Sequence, residues 1–136
     1  MILVDGLISE SVSALDRGLA YGDGVFRTMR VESGKVLLWR NHYRKLARDC
    51  ARLGIACPAA GVLISDLERL LHDGRSCVVK IIVTRGQGGR GFAPPEDAEP
   101  TRVVASFPLP SVPPGCGGHG VRVPWWSTGR AEQPAL

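Results

Sequence analysis

The sequence predicts an α+β fold: one mainly antiparallel sheet covered by two helices. Three observations carry this. Two segments place apolar residues at the three-to-four spacing of a helix, two others are β-rich runs, and the order is strands, two helices, then strands.

The elements follow in order. Ile2–Val4 reads as a short strand that ends at the turn dipeptide Asp5-Gly6. Residues 26–31 and 35–38 flank Glu32-Ser33-Gly34, which predicts a hairpin whose glycine takes positive φ. Trp39–Leu53 is an amphipathic helix, with Trp39, Tyr43, Leu46, Cys50 and Leu53 on one face. Arg40, Arg44, Arg48 and Arg52 recur on the opposite face, where aromatic interleaving is absent, so they read as a solvated stripe. Lys45 lies at the margin of the core face, and Gly54 sits where a helix stop is expected. Residues 62–72 form a second helix, with Leu63, Ile64, Leu67, Leu70 and Leu71 on one arc and Asp73-Gly74 closing it. Cys77–Thr84 is a near-continuous apolar run, which predicts a strand buried on both faces. Arg102–Phe107 is the last strand of the set.

Punctuation divides the chain. Nine of the ten prolines lie at or after Pro94, and residues 108–120 hold four prolines and four glycines. This predicts an α+β domain over 1–107, an interdomain linker over 108–120, and the start of a truncated second domain over 121–136.

Composition bounds the function. With 136 residues, 44% hydrophobic and 22% charged, the chain is globular rather than disordered or fibrous. It has no apolar run long enough to span a membrane, and its first residues carry no basic region ahead of an apolar one. A net charge of +4 favours anionic ligands but does not by itself argue for nucleic acid. Cys50, Cys57, Cys77 and Cys116 show no C-x-x-C pair, and His42, His72 and His119 form no ligand pattern, so no metal site is expected. The cysteines read as reduced thiols in a cytoplasmic protein.

Two loops hold the chemistry. Asp16-Arg17-Gly18-Leu19-Ala20-Tyr21-Gly22-Asp23-Gly24-Val25-Phe26 crowds three glycines and two aspartates into a loop that enters a strand. On composition alone it is a structural turn whose aspartates bond their own backbone. Thr84-Arg85-Gly86-Gln87-Gly88-Gly89-Arg90-Gly91 contains G-x-G-x-x-G after a strand, but Phe92-Ala93-Pro94-Pro95 cannot open the helix that a dinucleotide site needs. What remains is a glycine loop with two arginines. It reads as a mobile surface loop or as a site where a guanidinium meets a carboxylate.

These motifs together resemble one family. Asp16-Arg17-Gly18-x-x-Tyr21-Gly22-Asp23-Gly24-Val25-Phe26 is similar to the N-terminal signature of fold-type IV pyridoxal-phosphate enzymes, the branched-chain aminotransferase-like group. Leu38-x-x-x-His42-x-x-Lys45-Leu46 resembles that group's H-x-x-R-L helix. Arg85-Gly86-x-Gly88-Gly89-Arg90-Gly91 resembles its aminodeoxychorismate lyases more than its aminotransferases.

The resemblance implies conversion of 4-amino-4-deoxychorismate to 4-aminobenzoate and pyruvate in folate biosynthesis, with pyridoxal 5′-phosphate as cofactor. It implies a homodimer acting on a small dicarboxylate, with no nucleic-acid or membrane partner. It gives Phe26 and Arg90 to substrate binding, Arg90 against a carboxylate. It gives Lys45 to the cofactor phosphate, where the family usually has an arginine, so that a point charge replaces a bidentate fork. No residue of this chain is expected to be catalytic. Gln133-Pro134-Ala135-Leu136 resembles the run into the Schiff-base lysine, which is expected beyond Leu136. The 136-residue chain alone is then expected to be inactive. A D-amino-acid or branched-chain aminotransferase of the same fold, and a non-catalytic anion- or partner-binding domain, are the alternatives.

Overall fold

The computed structural model describes residues 1–111 and 124. Its elements are β1 (Ile2–Val4), β2 (Leu7–Ile8), α1 (Arg17–Tyr21), β3 (Gly24–Glu32), β4 (Lys35–Val36), α2 (Trp39–Leu53), α3 (Ala60–Leu70), β5 (Cys77–Thr84) and β6 (Arg102–Phe107). The strands make one sheet in the order β2-β1-β6-β5-β3-β4, and every pairing is antiparallel. The expected α+β architecture is therefore the observed one.

Alternation builds the core. Along β3, Met29 and Val31 are buried between exposed Thr28, Arg30 and Glu32. Val79, Ile81 and Val83 of β5, Leu3 of β1 and Val104 of β6 share that buried side. Leu46 and Cys50 of α2 and Leu63, Leu67 and Leu70 of α3 close over it. Side chains of this size contribute roughly 1.5–3 kcal/mol each on burial.

Local chemistry sets the joints. Ser33 at φ 48° and Gly34 at φ 75° both take the left-handed region, the signature of a type I′ hairpin turn. The predicted second hairpin strand is shorter than residues 35–38: it ends at Val36, and Leu38 at φ 54° is the N-cap of α2. Gly54 at φ 63° ends α2 by returning its N–H to Ala51 and Cys50 carbonyls. The second helix runs from Ala60 to Leu70, two residues earlier at each end than its apolar arc suggests.

Two expectations change. The 16–26 stretch is not all loop, because Asp16 caps a five-residue helix by accepting from the Gly18 N–H at 2.8 Å. Strand β5 is not buried on both faces. Cys77, Val79, Ile81 and Val83 are buried, whereas Val78, Lys80 and Ile82 are only half-buried. Residues facing the helices become core, and among the described residues nothing packs on the other face.

Candidate functional site

The site begins at an unpaired strand edge. β4 covers only Val31 and Glu32 of β3, so the stretch from Gly24 to Met29 has β5 on one side and no described strand on the other. Arg27 folds back over that edge and donates from Nη1 to the Phe26 carbonyl at 2.8 Å. Its Nη2 pairs with Asp49 of α2, and its buried Nε has no partner among the described residues. Asp49 also accepts from Lys45 Nζ at 2.6 and 2.7 Å, an i,i+4 pair along α2. One carboxylate thus collects a lysine from its own helix and an arginine from the strand beneath.

The surroundings of that carboxylate are cationic. Asn41, Arg44, Lys45 and Arg48 line a hollow of about 240 Å³ on the α2 surface. Partial loss of water, and then the guanidiniums of Arg27, Arg48 and Arg52, pull the Lys45 ammonium below its ordinary value. An excess of cations around one carboxylate, with one buried donor unmet, fits a dianionic group such as a phosphate ester.

The other face of the sheet carries a second pair. Phe26 is 56% exposed there, and Lys80 of β5 holds its Nζ 4.7 Å from the Phe26 ring centroid. The register explains the meeting, since Phe26 opposes Ile82 and Thr28 opposes Lys80. Lys80 has no hydrogen bond or ion pair among the described residues. It shares that face with Val78, Ile82 and Val103, and with Thr28 and Arg30 of β3.

The glycine loop leaves β5 at the end where β3 begins. Arg85 grips Asp23 with both ends, Nε to Oδ2 at 2.7 Å and Nη2 to Oδ1 at 3.1 Å. It also donates to the Leu53 and Gly54 carbonyls at the end of α2, at 2.6 and 3.0 Å. The hydrogen bond from Arg85 holds the Asp23 carboxyl below the usual carboxylate range; burial opposes this, and Arg17 adds to it. Arg90, farther along the loop, is exposed and unpaired among the described residues.

The structure brings Lys45 and Phe26 to opposite sides of one strand, joined through Arg27, which touches the Phe26 carbonyl and shares Asp49 with Lys45. Arg90 stands apart on its loop. Sequence reasoning missed Lys80, Arg27 and Asp49. A lone lysine inside an apolar strand was the available signal for Lys80, whereas Arg27 and Asp49 lie 22 residues apart and meet only once α2 is laid on β3. Cys50, Cys57 and Cys77 are free thiols, and burial pushes Cys50 up to about 12, consistent with a core role. Cys116 and His119 lie outside the described residues, among which no metal-ligating cluster occurs.

Fold and site define an α+β domain with a cation-rich strand edge, the half-fold of fold-type IV enzymes. The amino-transferase class IV family model matches residues 24–123, and the chain belongs to that family. Aminodeoxychorismate lyase from Vibrio harveyi is 31% identical over 137 residues, covering 100% of this chain and 50% of the relative. A putative branched-chain-amino-acid aminotransferase from Methanocaldococcus jannaschii is 34% identical over 114 residues, covering 82% of this chain and 38% of the relative. The crystal structure of 4-amino-4-deoxychorismate lyase from Pseudomonas aeruginosa superposes with a TM-score of 0.76 at 41% identity, covering 83% of this chain and 42% of that one. The chain spans half or less of the length of these relatives.

Proposed function

We propose that this chain is the N-terminal domain of a pyridoxal 5′-phosphate-dependent lyase that converts 4-amino-4-deoxychorismate to 4-aminobenzoate and pyruvate, in folate biosynthesis. The observation that carries the reading is Lys80, an unpaired ammonium beside the exposed ring of Phe26. With Arg90 it provides two cations for a substrate that has two carboxylates. The likeness to lyases from two bacteria supports the same choice.

In this reading Lys45 meets the cofactor phosphate as a point charge, steadied by Asp49. When bound, the cofactor supplies an electron sink for the bond cleavage that aromatises the substrate ring. Phe26 packs on the substrate and excludes water from its face. Arg90 and Lys80 orient the two carboxylates. The lysine that carries the cofactor is assigned beyond Leu136, as the resemblance implies, with Lys35, Lys45 and Lys80 lying in a hairpin, a helix and a strand that the reading gives other roles. The enzyme is a cytoplasmic homodimer in which the partner subunit completes the site; by itself the 136-residue chain is inactive. No described helix is long and apolar enough to cross a membrane.

The test is product analysis on the intact enzyme that carries these residues, supplied with pyridoxal 5′-phosphate. 4-Aminobenzoate and pyruvate should appear in equal amounts from 4-amino-4-deoxychorismate. The Methanocaldococcus relative favours a second reading, a branched-chain aminotransferase of the same fold. Amino-group transfer to 2-oxoglutarate without 4-aminobenzoate would establish that reading in place of the first.

A further inference from the structure

We propose that Arg17 is a positioning residue: its guanidinium is the template on which the 85–93 loop is wound, and it thereby presents Arg90 in a fixed place. The inference rests on the reading of Arg90 as a substrate-binding residue, and it deepens that reading.

Arg17 is 3% exposed, and a guanidinium so buried needs a counter-charge and acceptors for its donors. Nε takes the counter-charge, Asp23 Oδ2 at 2.9 Å. The other nitrogens reach the loop: Nη1 donates to the Gly91 carbonyl at 3.1 Å and Nη2 to the Phe92 carbonyl at 2.7 Å, with the Ala93 carbonyl 3.4 Å from Nη1. Three successive carbonyls therefore turn toward one side chain. Tyr21 stacks on the guanidinium at 4.8 Å, and its hydroxyl accepts from the Gly91 N–H at 3.3 Å. Phe92 closes the stack at 5.5 Å from the Tyr21 ring.

The start of the loop is held as closely. The Arg17 N–H donates to the Gly86 carbonyl at 2.8 Å, and the Gly88 N–H to the Leu15 carbonyl at 3.1 Å. A Cβ at Gly88 would lie 2.9 Å from Arg17 Cδ, so the loop backbone runs against the side-chain stem. Every one of these grips falls on residues before or after Arg90. The flanks are fastened and the arginine between them projects, which is how a binding group is preorganised without being occupied.

The test uses the chain itself. Arg17→Lys keeps the charge and removes the planar fork, and Arg17→Gln removes both. Native-state trypsin cleavage is followed site by site by mass spectrometry, alongside hydrogen exchange of the 86–93 amides. The proposal expects cleavage after Arg90 to rise about tenfold or more in Arg17→Lys while cleavage after Arg30 and Arg75 stays within about twofold, because cutting tracks the population of the opened segment. A uniform rise at all three sites would make Arg17 a general stabiliser and overturn the proposal. So would unchanged cleavage after Arg90 in a folded variant. In the intact enzyme, loop release should raise KM with kcat little changed. Loop release with KM unchanged would refute the substrate role of Arg90 and leave the grip of Arg17 on the loop standing.

Discussion

Gly86→Ala is the sharpest single-residue probe of this fold, because its cost can be built from separate contributions. Gly86 has φ +90°, and a Cβ added there would overlap the Glu99 carbonyl oxygen, which is backbone and cannot swing aside. Holding an L-residue at positive φ costs roughly 1–2 kcal/mol. Relieving the overlap by moving backbone costs a further 1–3 kcal/mol or so, as in an overpacked core. The shift also endangers two hydrogen bonds, Arg17 N–H to the Gly86 carbonyl at 2.8 Å and Gly86 N–H to Thr84 Oγ1 at 3.0 Å. Each contributes about 1 kcal/mol. Against this, the alanine restricts the unfolded chain and returns about 0.4–1 kcal/mol. The sum is a loss of about 3–6.5 kcal/mol when both hydrogen bonds go, a large part of the roughly 5–15 kcal/mol that holds a domain folded. Gly89→Ala is the control, since nothing lies within 4 Å of its Cβ position. It should change stability by less than about 0.5 kcal/mol. Urea titration followed by circular dichroism reads both; with a slope of roughly 1–3 kcal/mol/M, Gly86→Ala should lower the midpoint by more than about 1 M. Equal midpoints for the two variants would refute the division of this loop into strained and free glycines.

Two further outcomes follow from the charged groups. The hydrogen bond from Arg85 holds the Asp23 carboxyl below its ordinary value in the folded state, so its stabilisation is complete above that ordinary value and is lost as pH falls through the folded value. Urea midpoints measured from pH 6 down to pH 2 should fall more steeply below pH 4 for the wild type than for Asp23→Asn, and parallel curves would remove Asp23 from the acid response. For Lys45, replacement by alanine should weaken pyridoxal 5′-phosphate binding by the intact enzyme about tenfold or more, the worth of a charged hydrogen bond, while arginine should restore it. An unchanged dissociation constant would return Lys45 to the solvated face of α2.

Much of the fold was legible because its signals are local and repeated. Trp39–Leu53 shows four turns of apolar periodicity with a glycine stop, and its bounds emerge unchanged. Cys77–Thr84 and Arg102–Phe107 are β-branched runs with clear ends, also unchanged. The helix Arg17–Tyr21 is too short for any period, and only the Asp16 cap could have announced it. Leu7–Ile8 pairs with β1 while both side chains stay exposed, so no pattern marks it. The misreading of β5 has a physical cause. An apolar run reports that both faces can be covered, whereas coverage depends on what packs there, and both helices packed on one side. The site divides in the same way. Phe26, Lys45 and Arg90 are candidates that only the family resemblance singles out, whereas Asp49 and Arg27 come together only through the register of α2 on β3.

That register also explains why an unpaired edge can persist. A free strand edge normally invites another strand, and proteins guard against this with short neighbours and charges turned onto the edge. Both devices are present: β4 is two residues long, and Arg27 lies across the edge on the Phe26 carbonyl. The same guanidinium, with one nitrogen still unmet and Lys45 tied to the same carboxylate, makes the edge attractive to a small anion. Protection against strand addition and readiness for an anionic ligand are therefore one arrangement. Replacing Arg27 with a neutral residue should therefore loosen both together, leaving the Phe26 carbonyl open to strand addition and Asp49 with Lys45 alone.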